Sequence, residues 1–101
     1  MGLYHPATED LEIATVLHAL SDPQRLHIVR ELASAEEAQP CGRFKVNVSK
    51  STCTHHFRVL REAGVIEQHQ LGTAKMNTLR RADIDARFPG LLDAVLDAVP
   101  A

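Results

Sequence analysis

The stretch VSKSTCTHHFRVLREAGVI, Val48–Ile66, decides the fold that this sequence predicts. Ser49 or Ser51 can cap a helix that runs to about Ala63, because a serine oxygen accepts hydrogen bonds from the first free backbone N–H groups of a helix. Gly64 can end the helix, because glycine adopts the left-handed conformation common just past a helix C-terminus. The stretch therefore predicts a helix over residues 49–64.

The two sides of this helix differ in chemistry. At about 100° per residue, Cys53, Phe57 and Leu60 fall on one apolar stripe that should face a core. His56 falls on the flank of that stripe, where we expect a packed, hydrogen-bonded imidazole. The opposite side carries hydroxyls, one imidazole and charged groups, from Ser51, Thr54, His55, Arg58 and Glu62.

The sequence after this helix predicts one definite structure, whereas the sequence before it leaves alternatives open. Residues 65–79 contain two short segments around a glycine-containing turn and predict a β-hairpin. Before the helix, Ala35–Gln39 indicates a polar loop and Pro40–Gly42 a break. Phe44, Val46 and Val48 alternate with polar residues, which fits either a short strand or one distorted helical turn.

Apolar periodicity predicts helices at both ends of the chain. We expect one helix over residues 8–20, capped by Thr8 and burying Leu11, Ile13, Val16, Leu17 and Leu20. A second helix should start at Asp22, with Pro23 at its first position.

The C-terminal part, residues 84–99, reads as a short turn and then an apolar helix, with Pro89-Gly90 between them. Its apolar surface exceeds what a lone helix of a small domain needs. Residues 8–20 and 84–99 are therefore the expected dimerisation helices.

The composition indicates one small globular domain over residues 1–101. Apolar residues make up 45% of the chain and charged residues 24%, which is typical of a soluble protein. The net charge is −2, but residues 43–81 carry eight basic against two acidic side chains, a net +6, between acidic flanks of −5 and −3. A basic middle of this kind is typical of a surface that faces nucleic acid.

Two motifs resemble the ArsR/SmtB family of bacterial repressors. LHALSDPQRLHIVREL (Leu17–Leu32) resembles the family's Asp-Pro followed by arginine and an apolar helix. Val48–Ile66 resembles its hydroxyl-rich recognition helix, ending His-Phe-x-x-Leu-x-x-x-Gly, and the likeness extends over roughly residues 11–79. The resemblance implies a mainly α fold with a small β-hairpin, a winged helix-turn-helix that is dimeric through its N- and C-terminal helices. It also implies a homodimer that leaves a pseudo-palindromic operator in double-stranded DNA when a signal arrives.

The side chains of the recognition helix (49–64) and of the β-wing (65–79) are of types that can contact DNA. A helix fits the major groove, where base edges present distinguishable donors and acceptors. The wing carries less arginine than is usual for the family, and its candidate contacts are Lys75 and His69. In the alternative interpretation Ser51 and Thr52 only cap the helix and Arg58 is merely solvated. The expected DNA-binding residues are Lys50, Ser51, Thr52, Thr54, His55, Arg58 and Lys75.

The ligand sets of the family's common metal sites are missing or incomplete. The terminal region supplies four aspartates but no histidine after His69, and no Cys-x-Cys pair precedes the recognition helix. We therefore expect no metal and no cofactor. Two alternatives remain for sensing: a soft metal held by Cys41 with His5, or redox chemistry of Cys41 and Cys53, whose Cα atoms would have to approach within about 7 Å.

Three other classes of function are a protein-interaction module, an enzyme and a membrane protein. A winged-helix protein-interaction module without DNA binding would keep the fold, because a fold alone does not define a function. For Ser51 and His55 no third orienting group or oxyanion donor is evident, so we expect no enzyme. No apolar run approaches the ~18 residues of a membrane span, the N-terminus lacks the basic start of a signal peptide, and two cysteines fit a reducing compartment. The expected location is the cytoplasm, with no membrane partner.

Overall fold

The computed structural model describes residues 3–41, 44 and 49–99. In this part of the chain, one antiparallel sheet consists of three strands, with the last strand in the chain between the other two. In the order of the chain, the described elements are a 3-10 turn at Thr8–Asp10, α1 (Ile13–Ala19), α2 (Pro23–Ser34), β1 (Gln39–Pro40), α3 (Lys50–Glu62), β2 (Ile66–Leu71), β3 (Ala74–Leu79), α4 (Arg81–Arg87) and α5 (Leu91–Ala98).

The start of each helix in the central pair is fixed by a side-chain cap. Asp22 Oδ1 accepts the backbone N–H groups of Gln24 at 2.8 Å and Arg25 at 3.2 Å, and Pro23 is the first residue of α2. Of the two candidate serines, Ser49 caps α3, with its Oγ accepting the N–H of Thr52 at 3.3 Å. Both caps satisfy N–H groups that a helix leaves unpaired, so the predicted starts of α2 and α3 are confirmed.

The predicted hairpin is also confirmed, with an additional strand. β2 and β3 pair from Ile66 opposite Leu79 to Leu71 opposite Ala74, which leaves a two-residue turn at Gly72-Thr73. The loop and break expected at Gln39–Pro40 are instead a short strand paired with β3. Proline is tolerated there because β1 is an edge strand and needs no second ladder of hydrogen bonds.

The segment after β1 lies mostly outside the described residues. The choice between a strand and a helical turn for Phe44, Val46 and Val48 therefore concerns residues of which only Phe44 is described. That side chain is buried, and its ring packs edge-on against Phe57 of α3 at 5.5 Å between centroids. This aromatic contact joins Phe44 to α3.

The expectation of one continuous helix over residues 8–20 is wrong. The backbone is extended at Leu11 and Glu12, between the 3-10 turn and α1. Thr8 does not cap a helix, because its hydroxyl donates to Asp83 Oδ1 at 2.7 Å. The extended step buries Leu11 against Gly64, which a continuous helix would not do.

Two of the apolar residues expected in the core lie on the surface. Ile13 is 44% exposed and Leu17 is 47% exposed. α1 instead buries Val16 and Ala19, and Leu20 follows them into the core. The exposed pair lies one helical turn apart, on the side of α1 that faces away from the protein.

The C-terminal part forms two helices, where a turn and one helix were expected. α4 occupies the expected turn and buries Ile84, and Gly90, at φ +83°, precedes α5. Arg81 connects the two helices by donating to Asp93 Oδ1 at 2.9 Å. Over residues 3–41, 44 and 49–99, no helix combines the length and apolarity that a bilayer span requires.

One apolar core joins the helices and the sheet. The core brings together the inner sides of all the helices and the base of the hairpin, so the position of α3 is set by its neighbours on both sides. Its buried members are Val16, Ala19, Leu20, Ile28, Val29, Leu32, Phe44, Phe57, Leu60, Ala63, Val65, Ile66, Ile84 and Leu92.

Gly64 should tolerate substitution less well than Gly90, although both have positive φ. Their φ angles are +86° and +83°, but a Cβ at Gly64 would collide with Leu11 Cδ2, whereas none of the described atoms lies within 4 Å of a Cβ at Gly90. Gly90→Ala should lower the free energy of unfolding by about 1–2 kcal/mol through backbone strain. Gly64→Ala should lose a further ~1–3 kcal/mol through overpacking. Urea denaturation of both variants measures the difference; equal losses would contradict the role assigned to the Leu11 contact.

Candidate nucleic-acid interface

The exposed side of α3 forms a single polar surface. Ser51, Thr54, His55 and Arg58 line one shallow, open depression on this helix, and all four are exposed. Helical spacing places them together, since residues three or four apart share a face. The side that the sequence predicted to be exposed is therefore exposed; we refer to these four residues as the α3 face.

Two other predicted contacts lie at the start of α3. Thr52 is exposed, and its Oγ1 accepts a hydrogen bond from Ser49 Oγ at 2.9 Å, so it belongs to the capping group of the helix. Ser51 Oγ lies 3.2 Å from the same Ser49 oxygen. The side chain of Lys50 is outside what the structure describes. The helix N-terminus here presents hydroxyls that are already organised around Ser49.

Arg58 differs from every other described arginine. Within residues 3–41, 44 and 49–99, it alone among the arginines makes no hydrogen bond, ion pair or cation–π contact. A guanidinium carries five N–H donors in a planar fork that suits bidentate contacts to phosphate and to guanine. Arg58 is thus, among the described residues, a cation without a partner at the C-terminal end of the α3 face.

Much of the positive charge counted in residues 43–81 is used inside the fold. Arg61 is buried and donates to Gln68 Oε1 at 2.7 Å. Arg80 pairs with Asp83 at 2.9 Å, and Arg81 pairs with Asp93 at the same distance. Among the described side chains, the basic groups left for an anionic partner in that segment are those of Arg58 and Lys75.

The wing contributes little charge of its own. Lys75 lies on β3 opposite Gln70, is half-buried, and its ammonium has no partner among the described residues. His69, on β2, is exposed. At the tip, Leu71 is 62% exposed next to Gly72. The geometry agrees with the prediction of a wing that is well formed but poor in arginine.

A buried arginine positions α3 against the preceding helices. Arg25 of α2 is only 7% exposed, and its Nε donates to Ala19 O at 2.6 Å while one terminal nitrogen donates to His18 O at 3.3 Å. The other terminal nitrogen donates to His56 Nδ1 of α3 at 3.1 Å. Arg25 therefore closes the C-terminus of α1 and bonds α3 at the same time.

The histidine in this contact is held in one form. Because a guanidinium can only donate, His56 Nδ1 must accept, which leaves the proton of the neutral ring on Nε2. That nitrogen lies 3.9 Å from Asp22 Oδ1. His56 is 6% exposed, as the prediction of a packed, hydrogen-bonded flank residue requires. We refer to Asp22, Arg25 and His56 as the Arg25 cluster.

Asp22 has a lowered pKa within this cluster. Burial raises the pKa, but the backbone N–H groups of Arg25 and Gln24, together with the positive charge of the Arg25 guanidinium, hold it below its usual 3.8. A carboxylate whose pKa is lower in the folded than in the unfolded state stabilises the fold above about pH 4, and this contribution is lost as the pH falls further. The cap of α2 is therefore fully formed near neutral pH.

A second buried polar network lies at the base of the wing. Gln68 of β2 accepts from Arg61 and donates through Nε2 to Asn77 Oδ1 of β3 at 2.7 Å. Asn77 Nδ2 donates to Gln39 O at 2.9 Å and to Cys41 Sγ at 3.3 Å. Sequence reasoning found none of these partners, because alternation only marks Gln68 and Asn77 as residues of a hairpin.

The soft-metal alternative finds no support in the contacts of His5. Its Nδ1 donates to Leu3 O and its Nε2 accepts the backbone N–H of Gln68, each at 3.0 Å. Both ring nitrogens are therefore engaged: Nδ1 bonds within the N-terminal arm, and Nε2 binds that arm to β2. In the described part of the chain, no group of three or more histidine, cysteine, aspartate or glutamate side chains could hold a metal ion.

Comparison with known proteins places these features in a class. A family model described as a helix-turn-helix domain matches residues 20–69. The HTH-type transcriptional regulator YceK of Bacillus subtilis (strain 168) is 33% identical over 90 residues, which cover 87% of this chain and 90% of YceK.

Solved structures show the same fold. The transcriptional repressor BigR from Xylella fastidiosa superposes with a TM-score of 0.65 at 25% identity, covering 88% of this chain and 87% of BigR. An ArsR-like transcriptional regulator from Rhodococcus sp. RHA1 gives 0.61 at 26% identity, covering 83% of this chain and 81% of that one. The matched family and the similar proteins thus define a DNA-binding transcriptional regulator rather than an enzyme. The chain belongs to the ArsR/SmtB family of winged helix-turn-helix regulators.

Replacing Arg25 should show how far the fold depends on its contacts. Arg25→Lys keeps the charge but cannot reach Ala19 O, His18 O and His56 Nδ1 together, so we expect a loss of about 2–4 kcal/mol in unfolding free energy. Arg30→Lys is the matched control, because Arg30 makes only long bonds of 3.3 and 3.5 Å to Leu96 O and Val99 O. Its expected loss is below about 1 kcal/mol. Thermal unfolding compares the two, and similar melting temperatures would refute the assignment.

Proposed function

We propose that the protein is a homodimeric repressor that binds a pseudo-palindromic DNA operator with α3 and the wing, and that a signal releases it. The single observation that carries the proposal is Arg58, an exposed guanidinium on the α3 face that has no partner among the described residues. Family membership supplies DNA binding, and the named repressor BigR supports repression as its outcome.

The proposed contacts divide according to the chemistry of each group. In the major groove, Arg58 would bind guanine edges or phosphate, while Thr54, His55 and Ser51 would hydrogen-bond base edges or phosphates. Lys50 and Thr52 stand at the start of α3, where the backbone N–H groups favour a phosphate. Lys75 on the wing would add a contact to the DNA backbone.

Dimerisation is proposed from the apolar surface that the fold leaves outside. Ile13 and Leu17 expose almost half of their surface on one side of α1. On α5, Leu91, Val95 and Leu96 are half-buried. Apolar side chains grouped at the surface of so small a protein favour a symmetric contact with a second copy. Two α3 helices related by a two-fold axis would then meet two half-sites about one turn of DNA apart.

The proposed place of action is the cytoplasm, where the operator would be. Both cysteines are free in the structure, which is typical of a reducing compartment. A winged-helix module that binds only a protein would keep the same fold, so a direct measurement of DNA binding is needed to distinguish the two functions.

DNA binding is tested with duplexes from the region upstream of the gene. The reduced protein should bind one of them much more tightly than a random duplex, with an affinity that falls steeply as salt rises. Arg58→Ala should weaken specific binding roughly 10- to 100-fold. Fluorescence anisotropy gives both values.

Two control variants sharpen this test. Arg81→Ala removes the same charge from α4, away from the α3 face, and should change the affinity by less than about threefold. Arg58→Lys should retain most of the affinity if Arg58 contacts phosphate and lose it if Arg58 reads a guanine. An Arg58→Ala protein that binds like the parent would exclude this role, and absence of any sequence preference would favour the protein-interaction module.

The dimer is tested at the exposed face of α1. Leu17→Glu places a charge in the proposed contact and should convert the dimer into a folded monomer. Thr15→Glu is the matched control, because Thr15 is also exposed on α1 but points about 160° away from Leu17. Sedimentation equilibrium measures the mass of each. A parent protein that is monomeric at high concentration would exclude the proposal, as would a dimeric Leu17→Glu.

A further inference from the structure

The end of the β-hairpin carries a large apolar side chain that lies outside the core. Leu71, the last residue of β2, is 62% exposed, whereas Ile66, the first residue of the same strand, is fully buried. At about 3.4 Å per residue, the strand carries Leu71 roughly 17 Å beyond Ile66. The side chain is therefore presented to solvent at the end of the wing, well away from the core.

A short turn presents this leucine. Leu71 pairs with Ala74 as the last pair of the β2–β3 ladder, so a turn of two residues lies beyond it. The side chain of Gln70 donates to Gly72 O at 3.1 Å across the turn. Because side chains alternate along a strand, Leu71 and Ala74 share one face of the hairpin, and Gln70 and Lys75 share the other. We refer to residues 70–75 as the wing tip; it is narrow, apolar on one face, and basic on the other.

The charge of the wing favours approach to a polyanion. From Gln68 to Leu79 the sequence contains no acidic residue and one basic residue, Lys75. Glu67, at the base of the wing, lies roughly 14 Å back along β2 from Leu71. The wing tip therefore meets no repulsion from phosphates, but one ammonium alone holds it there weakly. What the wing tip can add to binding is the burial of Leu71.

The apolar face of the wing tip is too small to be a protein interface by itself. Beside Leu71 it contains Ala74, with half-buried Met76 next to it on the same face, and a stable protein interface buries about 800 Å² on each partner. DNA fits better, because β2 follows closely on α3 and the wing continues the proposed DNA-binding surface. With α3 in the major groove, the adjoining minor groove is about 6 Å wide and 7.5 Å deep, which suits a narrow tip.

We propose that Leu71 is a wedge that enters the minor groove beside each half-site and partly unstacks one base step, so that the protein bends its operator. This inference rests on the proposed function and adds DNA bending to it. Apolar wedges between base pairs kink a duplex by about 20–90° toward the major groove. Pyrimidine–purine steps unstack most easily, so the operator should have such a step at the wing tip and be recognised there by its deformability.

Bending is measured by energy transfer between two dyes at the ends of the duplex that binds most tightly in the anisotropy test. Binding of the parent protein should raise the transfer. Leu71→Ser should remove most of this rise and weaken binding about tenfold, because the buried apolar surface is lost. Leu71→Met keeps an apolar side chain of similar volume and should retain both properties. Tyr4→Ala is the matched control, because it removes a side chain of equal exposure from the N-terminal arm and should change neither.

The position of the wedge is found with 2-aminopurine, an adenine analogue whose fluorescence rises when it is unstacked. Placed at one position of the operator at a time, it should brighten at one step beside each half-site with the parent protein and stay dim with Leu71→Ser. Replacing that pyrimidine–purine step by a purine–purine step should weaken binding by the parent. The same replacement should leave binding by Leu71→Ser nearly unchanged, because the two changes act on one contact.

The remaining outcomes contradict the wedge. An operator that stays straight in the parent complex, or a bend that Leu71→Ser retains, would refute it. Weaker binding by Leu71→Ser without any unstacked step would show that Leu71 touches DNA but does not enter the base stack. A lower mass of Leu71→Ser in sedimentation equilibrium would assign Leu71 to a contact between copies of the chain. A parent protein that prefers no duplex would refute the proposed function and the wedge with it, whereas a tightly bound, straight operator refutes the wedge alone.

Discussion

The guanidinium of Arg25 lies where the end of α1, the start of α2 and the middle of α3 meet. Its donors reach Ala19 O, His18 O and His56 Nδ1. Burying a guanidinium without partners would destabilise the fold. Here each of the three nitrogens donates to an acceptor, and the carboxylate of Asp22 lies nearby. The angle between α2 and α3, on which any helix-turn-helix depends, is thus set by polar contacts with directional geometry and not by apolar packing alone.

The same side-chain type performs two opposite tasks in this protein. Arg25, Arg61 and Arg80 donate hydrogen bonds to acceptors within the fold. Arg58 instead exposes its donors to solvent. Net charge along the sequence cannot separate these cases, because it counts charges and not partners. A basic segment is therefore an upper limit for the positive surface that DNA can meet. The tertiary structure lowers this upper limit, because it shows which basic side chains are bonded within the fold. Arg58 is one of the few described basic groups that remain available to DNA.

The base of the wing is unusual in having a polar interior. Gln68 and Asn77 pair across the hairpin, and the network is completed by Arg61 from α3 and by Cys41, the residue after β1. Such networks hold their members in defined positions when every group is satisfied. The backbone N–H of Gln68 also binds His5, so the N-terminal arm is attached to the wing at the same place. A change at any member can therefore reach the wing, α3 and the arm.

Local chemistry in the sequence determined the starts of α2 and α3, the stripe of Phe57 and Leu60, the hairpin turn and the exposed α3 face. These follow from caps, periodicity and turn residues, all of which act within a few positions along the chain. Only the tertiary structure decided that Leu11 leaves a helix to pack on Gly64, that Ile13 and Leu17 face outward, and which arginine remains unpaired. Those outcomes depend on contacts between residues far apart in sequence, and a helical or alternating pattern contains no information about the partner.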